Sequence, residues 1–242
     1  MIKHNIYSNK SYSGKITNAG LIARYNFLKA IGNNNNDNII GFVPTFNVLV
    51  ATIARESLEN LIESLSNELT ENDCLTIVFD NNSKRDITNI DKIKAKVVIY
   101  NEDKKLGYWG HGIRNKYASL LERRDFILHA DDDDTYFPSS FDKLRKQCIN
   151  SNILYIAKIL RSDRFIIPSD RLQIIIGNIG TPCGIIPYNY NLKGNWGYFY
   201  GGDGKYYIDL IKKFGRVQRL NTIIYNCNNT SENLKYYNVI SK

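Results

Sequence analysis

Phe126-Ile127-Leu128-His129-Ala130-Asp131-Asp132-Asp133-Asp134-Thr135-Tyr136 decides how the rest of the chain is read. A mostly apolar run of strand length enters four consecutive carboxylates, then a hydroxyl, an aromatic and Pro138. Adjacent aspartates repel one another and gain nothing from packing. A cation bound at the strand end gives them a reason to be there. Hard divalent ions take oxygen ligands, and Mg²⁺ or Mn²⁺ commonly joins one or two carboxylates to substrate phosphates. The competing reading is a solvated acidic turn. The apolar strand in front favours a metal–diphosphate site, because open sheets bind ligands at the C-terminal ends of their strands.

Working outward, Asn47–Ile53 is a continuous apolar strand of the kind buried on both faces. Glu56–Leu69 carries Leu58, Leu61, Ile62, Leu65 and Leu69 at helical spacing. Further strands are expected at Cys74–Asp80, Lys96–Tyr100 and Asp125–Ala130, with a helix at Gly112–Leu121. Strand–helix alternation at these lengths predicts an α/β fold, a Rossmann-like, mainly parallel central sheet flanked by helices. Its C-terminal strand ends are Thr52–Arg55, Asp80–Asn82, Asn101–Asp103 and Asp131–Asp134. Polar residues collect at all of them.

After the aspartates a helix is expected at Ser139–Cys148, with a Ser139-to-Asp142 capping pattern. The alternation then breaks into a mixed half. Strands are expected at Ile153–Leu160, Leu172–Ile176 and Val217–Asn226, and a helix at Lys205–Phe214. Gly177–Gly184 is turn-rich. The segment Tyr188–Gly204, crowded with Tyr, Trp, Asn and Gly, reads as a binding loop rather than core. The expected organisation is an N-terminal extension over 1–46, with a short helix at Ala19–Ile31, one domain over 47–226 divided at 136/137, and a peripheral tail over 227–242.

With 242 residues, 43% hydrophobic and 23% charged, the chain can bury a substantial core. Mean hydropathy is −0.35 and no apolar run is long enough to span a bilayer. The first residues lack the apolar core of a signal peptide, so the expected location is cytoplasmic, with peripheral membrane association left open. The net charge of +8 comes from dispersed Lys and Arg rather than one stripe, which argues for an anionic substrate and against nucleic acid. Cys74, Cys148, Cys183 and Cys227 form no CxxC pair, so zinc ligation is not expected. Cys74 and Cys148 fall on apolar faces as reduced core residues.

Three further constellations carry chemistry. Asp80 ends a strand, placed either to meet a base or ribose or to make a turn. Arg114 and Asn115 open a helix behind Gly107-Tyr108-Trp109-Gly110-His111-Gly112, a setting that suits phosphate. Trp109 and His111 fit packing equally well. In Trp196-Gly197-Tyr198-Phe199-Tyr200-Gly201-Gly202-Asp203-Gly204, aromatic faces suit sugar rings and Asp203 stands between glycines that admit a substrate. Asp203 could take a proton from an acceptor hydroxyl or cap the helix that follows.

Together these residues resemble the GT-A glycosyltransferases, which use nucleotide sugars. Ala130-Asp131-Asp132-Asp133-Asp134-Thr135-Tyr136 is similar to the Asp-Asp-Asp-Asn-Thr-Tyr signature of the β-1,3-glucuronyltransferases, with Asp134 in place of Asn. Gly112-Ile113-Arg114-Asn115 is similar to their loop ending in Arg-Asn. Trp196-Gly197 followed by Gly202-Asp203 resembles the acceptor-side motif of the β-1,4-galactosyltransferases and the Glu-Asp motif of family 2 enzymes. The resemblance spans roughly residues 47–215 and implies a GT-A fold. It implies that Thr52, Arg55, Asp80, Arg114, Asp131 and Asp132 bind the donor and that Asp133 binds Mn²⁺ or Mg²⁺. It further implies Trp196, Tyr198 and Gly202 on the acceptor side, and Asp203 as base of an inverting transfer. The implied partners are a nucleotide-diphosphate sugar, a UDP-sugar first, and a glycan or glycosylated acceptor.

Two other readings compete. Asp131-x-Asp133-x-Thr135 after a strand also matches the first motif of haloacid-dehalogenase-like phosphatases, with Asp131 as nucleophile and Asp133 as general acid. That motif normally opens a domain, whereas three strands are expected ahead of it here. The third reading is a carbohydrate-binding protein without turnover, which leaves the carboxylates unexplained.

Overall fold

The computed structural model describes residues 42–170, 173–229 and 231–240. The chain divides into two units, Met1–Phe42 and Val43–Lys242, and the following concerns the second. The helix expected at Ala19–Ile31 lies outside the described residues.

Strand β1 (Phe46–Thr52) has all seven residues buried, and β2 (Cys74–Phe79) all six, so both read as continuous apolar runs. Between them α1 (Leu58–Ser66) buries Leu58, Leu61, Ile62 and Leu65 on one stripe. Strand β3 (Lys96–Asn101) is partly exposed along its length because it forms the sheet edge. Helix α2 (His111–Tyr117) leads to β4 (Phe126–Asp131), which pairs with β1 on the side opposite β2. The pairings β1–β2, β2–β3 and β1–β4 are all parallel. The strand order β3-β2-β1-β4 therefore reverses between β1 and β4. Such a reversal opens a crevice at the C-terminal strand ends, where ligands bind.

The second half is mixed. Strands β5 (Thr135–Tyr136), β6 (Leu154–Leu160), β7 (Ile166–Ile167), β8 (Gly184–Pro187) and β9 (Val217–Asn226) extend the sheet in the order β4-β8-β6-β9-β5, with β7 beside β6. β8 runs antiparallel to both β4 and β6, while β6 and β9 are parallel. Helices α3 (Ser140–Gln147), α4 (Tyr188–Asn191), α5 (Gly202–Phe214) and α6 (Ser231–Ile240) complete the unit. This is the α/β architecture, parallel half and mixed half, that the sequence pattern predicts. Cys74 and Cys148 are buried free thiols, as expected.

Three local expectations are corrected. The Ser139–Asp142 cap does not form. Ser139 adopts φ 62° with no side-chain cap bond, and the Glu68 carboxylate accepts instead from Ser139 N (2.6 Å) and Phe141 N (2.8 Å). A carboxylate from a distant turn satisfies donors at the helix start, where the helix dipole favours negative charge. The strand expected at Leu172–Ile176 is not seen over Gln173–Ile176. Ile175 and Ile176 are about half exposed in a turn, and Ile176 packs where a Cβ on Gly201 or Gly204 would collide with it. A short apolar run does not by itself distinguish strand from covered turn. Finally, Tyr188–Gly204 is not a loop throughout but divides between core and surface. Tyr190, Asn191 and Trp196 are buried, and only Tyr198–Tyr200 stand out as exposed aromatics. In the 227–242 segment, α6 lays Tyr237 flat on Phe137 (centroids 3.8 Å, 7° between planes).

Candidate active site

The sheet register brings the chemistry together. Ala51 of β1 is opposite Val78 of β2 and Asp131 of β4, so Thr52, Asp80 and Asp131–Asp133 end at one level. They line a cavity of about 500 Å³ that also takes in Asp203 and Tyr200 from the second half.

Asp132 is its best-anchored carboxylate. It is buried, and it accepts from Thr52 Oγ1 (2.6 Å), Ile53 N (3.3 Å) and Arg55 Nη1 (2.5 Å). Arg55 Nη1 also lies 3.3 Å from Asp133 Oδ2, so one guanidinium bridges two neighbouring aspartates. Asp133 is the least committed of the four. Its side chain is 40% exposed, and its carboxyl is held above the usual carboxylate range, chiefly by burial, against the opposing pull of Arg55. Asp134 turns away from the cavity, is buried, and accepts from Asn228 N (2.6 Å). Burial first, then the charge of Asp131, pushes its carboxyl up.

Asp80 is buried and accepts from Leu106 N (2.7 Å) and Gly107 N (2.9 Å), one donor to each oxygen. It therefore fixes the loop between β3 and α2 as well as lining the cavity. That loop is tightly wound. Tyr108, Trp109 and Gly110 all take positive φ, and a Cβ on Gly110 would meet Arg114 at 2.6 Å and Ala51 at 2.8 Å.

Arg114 is not on the cavity wall. It is fully buried, donating to Trp109 O (2.8 Å), Ala130 O (3.3 Å) and Asp131 Oδ1 (2.5 Å), with its guanidinium over Trp196 at 5.2 Å. The geometry makes it the residue that orients Asp131 and pins the loop. The direct diphosphate contact expected for it is not what this placement supports. Trp196 does not offer a sugar-stacking face either. It is 1% exposed and stacks on Tyr206 (4.1 Å, 13°), since an apolar ring this large is more stable in the core. Gly202 is buried where a Cβ would meet Gly197 O at 2.2 Å and His111 at 2.8 Å, so it permits the close packing of α5 rather than touching the cavity. Tyr198 is exposed but outside the cavity lining, packed against Tyr108 (4.7 Å).

Asp203 lies in the first turn of α5 and accepts from Gly204 N (2.7 Å). Burial pushes its carboxyl up, with Asp131 adding to that and His111 and Arg114 opposing it. His111, which the sequence left open between packing and the phosphate loop, lines the cavity. Its Nδ1 lies 2.6 Å from Gly197 O, and a carbonyl can only accept, so Nδ1 carries the proton. Burial lowers its pKa and keeps the ring neutral. Lys105, Tyr108, Trp109, Thr181 and Tyr200 also line the cavity, although none of them was given a site role of its own from the sequence. The signal for the first three was a Gly-punctuated loop with adjacent aromatics after a strand end.

Among the described residues, no group of three or more His, Cys, Asp or Glu could hold a metal unaided. The donor set still fits a hard divalent ion completed by substrate. Asp132 and Asp134 are spent on protein donors, leaving the part-exposed Asp133 as a carboxylate to share with phosphate and water.

Neither a scan of protein-family models nor a search of curated proteins finds a match. Solved structures do match. The TarS fragment 1–349 from S. aureus superposes with a TM-score of 0.60 at 15% identity, covering 81% of this chain and 63% of that one. The same fragment with UDP-GlcNAc gives 0.57 at 15%, covering 76% and 58%. The mannosyltransferase PcManGT from Pyrobaculum calidifontis, in complex with GDP-Man and Mn²⁺, gives 0.56 at 9%, covering 90% and 67%. The fold is thus of the GT-A glycosyltransferase type. The chain spans less than two thirds of the TarS fragments it matches.

Proposed function

We propose that the protein transfers a sugar from a nucleotide-diphosphate sugar to a hydroxyl of a glycan, with inversion and with Asp203 as the base. The observation that carries this reading is that one cavity joins Asp80 and Asp131–Asp133 at the parallel strand ends to Asp203 at the start of α5. UDP is the first choice of nucleotide, and the UDP-GlcNAc and GDP-Man complexes of the structural neighbours support a nucleotide sugar as the donor class.

In this reading the donor lies along the ends of β1, β2 and β4. Asp80 and the loop it holds shape the nucleotide end, and Asp131, oriented by Arg114, meets the ribose or donor sugar. Asp132 is a positioning residue, keeping Thr52 and Arg55 in place. Lys105 and Arg55 supply positive charge beside the diphosphate. A divalent ion on Asp133 would neutralise the leaving diphosphate. Asp203 takes the acceptor hydroxyl's proton as that oxygen forms its bond to the anomeric carbon and the bond to the diphosphate oxygen breaks. A carboxylate pushed up by burial is a stronger base than a solvated one, which suits this task. A base must be deprotonated, so turnover should rise with pH through the Asp203 pKa, and the acid limb should lie above the ordinary carboxylate range. Asp203→Asn should remove that limb along with most turnover.

The test is nucleotide-diphosphate release from a panel of UDP- and GDP-sugars with Mn²⁺. Release from one donor, lost in Asp133→Ala, supports the reading. Inorganic phosphate from a generic monoester with no response to any nucleotide sugar refutes it. Asp131 here ends the fourth strand of a GT-A-type sheet, which does not favour the phosphatase reading. Among the described residues no helix is long and apolar enough to cross a membrane.

A further inference from the structure

Two loops meet at the mouth of the cavity, and both present aromatic rings to solvent. The loop after β3 carries Tyr108 and Trp109, and the loop before α5 carries Tyr198 and Tyr200, all more than half exposed. The rings pair across the loops, Tyr108 with Tyr198 (4.7 Å, 48°) and Trp109 with Tyr200 (5.9 Å, 74°). Trp109 and Tyr200 also line the cavity that holds Asp203, so each spans from inside to outside.

This exposure is maintained against a cost. Tyr108 and Trp109 sit at φ 54° and 53°, where a non-glycine residue costs about 1–2 kcal/mol. Water covers faces that folding could have buried. Clustered exposed apolar surface beside a cavity marks a binding surface. The second loop is braced, since a Cβ on Gly197 would meet the Phe199 ring at 2.5 Å.

We infer that the acceptor is a neutral glycan of at least two sugar rings. The reacting ring lies inside, beside Asp203, and the next stacks on Trp109 and Tyr200 at the mouth. The inference rests on the transferase reading for which ring reacts. The chemistry of the platform selects the occupant. Tyr and Trp pair an apolar face with a polar edge, matching a sugar ring's C–H face and peripheral hydroxyls. The four rings of the two pairs carry a phenolic hydroxyl or an indole N–H and bear no charge, which suits a neutral sugar ring better than an acyl chain or an anionic polymer.

The chain has two tryptophans, and Trp196 is buried, so a change in tryptophan emission reports on Trp109. The experiment titrates the full chain, with and without UDP and Mn²⁺, with gluco-, galacto-, manno- and N-acetylglucosamine oligosaccharides of one to six units. Calorimetry runs in parallel. One series is expected to shift the emission to the blue and to bind at least tenfold tighter from two units upward than the monosaccharide. Trp109→Phe should lose the optical change while keeping calorimetric binding within about threefold, as a ring face remains. Trp109→Ala and Tyr200→Ala should each weaken binding at least tenfold, with unchanged thermal melts because both side chains are exposed. Affinity independent of length, or alanine variants that bind like wild type, overturns the inference. So does an emission shift produced by phosphatidylglycerol vesicles and by no oligosaccharide. The nucleotide-sugar panel separates the two claims. Length-dependent glycan binding without turnover keeps the platform and refutes the transferase. Turnover indifferent to acceptor length and to Trp109→Ala refutes the platform and keeps the transferase.

Discussion

Replacing Arg114 by Met separates an anchor from a phosphate ligand. Met keeps much of the side-chain volume but removes three donated hydrogen bonds, to Trp109 O, Ala130 O and Asp131 Oδ1. It also removes a cation over the Trp196 ring. Breaking a fully buried ion pair costs about 3–5 kcal/mol. Asp131 keeps 32% of its side chain exposed, so water re-solvates part of it and the cost is discounted below that range, to about 2–3 kcal/mol. For a unit of this size that corresponds to a fall in Tm of about 4–12 °C. Urea unfolding of the wild type, Arg114→Met and Arg114→Lys measures it. Lysine should restore little, because one ammonium cannot reach three splayed acceptors as a planar fork does. UDP affinity, followed on the same proteins below their melting range, should fall less than tenfold. Unchanged stability in Arg114→Met combined with collapse of UDP binding would refute the reasoning and return Arg114 to the diphosphate.

Other consequences follow from single contacts. Glu68→Ala leaves Ser139 N and Phe141 N without their acceptor and should cost about 2 kcal/mol in chemical unfolding, comparable to losing a strong helix cap. Asp80→Asn exchanges one acceptor oxygen for a donor facing a backbone N–H, so KM for the nucleotide sugar should rise about tenfold, equivalent to 1.4 kcal/mol, and stability should fall by about 1–3 kcal/mol because a buried donor loses its acceptor. His129 is buried beside Trp196, with Nε2 2.9 Å from Asn191 Oδ1, and burial, Arg114 and His111 push its pKa down to about 3. Its folded pKa lies below the unfolded value near 6.5, so its stabilisation is full above that value and is lost as pH falls, by about 2 kcal/mol at pH 5. Against His129→Gln, the wild type's stability advantage should shrink by that amount between pH 7 and 5; a constant difference would contradict the buried neutral ring.

The parallel half was legible because its strands are covered on both faces. β1 and β2 have no solvent side, so their apolar runs stand out, and the aspartates at the end of β4 marked the ligand end of the sheet. The mixed half was less legible. β5 and β7 are two residues each and β8 is four, too short for any periodicity to register, and their pairing comes from distant strands. Trp196 misled for a related reason. Composition names an aromatic as stacking or core without saying which, and the deciding facts are Tyr206 and Arg114, which only the fold brings to it. Arg114 carried the same ambiguity. A helix start behind glycines suits phosphate, but here its arginine turns under the loop toward Asp131. That Asp80, Asp131–Asp133 and Asp203 share one cavity was legible because carboxylates at strand ends and between glycines have few packing reasons to be there. His111 had no such mark.

The most direct test of the central claim is acceptor-dependent release of nucleotide diphosphate from a panel of UDP- and GDP-sugars with Mn²⁺, comparing wild type with Asp203→Asn. The account predicts release from one donor with inversion at the anomeric carbon, and a loss of at least a hundredfold in kcat with donor binding retained, since general acid–base catalysis contributes about 10²–10⁴-fold. Retention of configuration, or full turnover by Asp203→Asn, would contradict it.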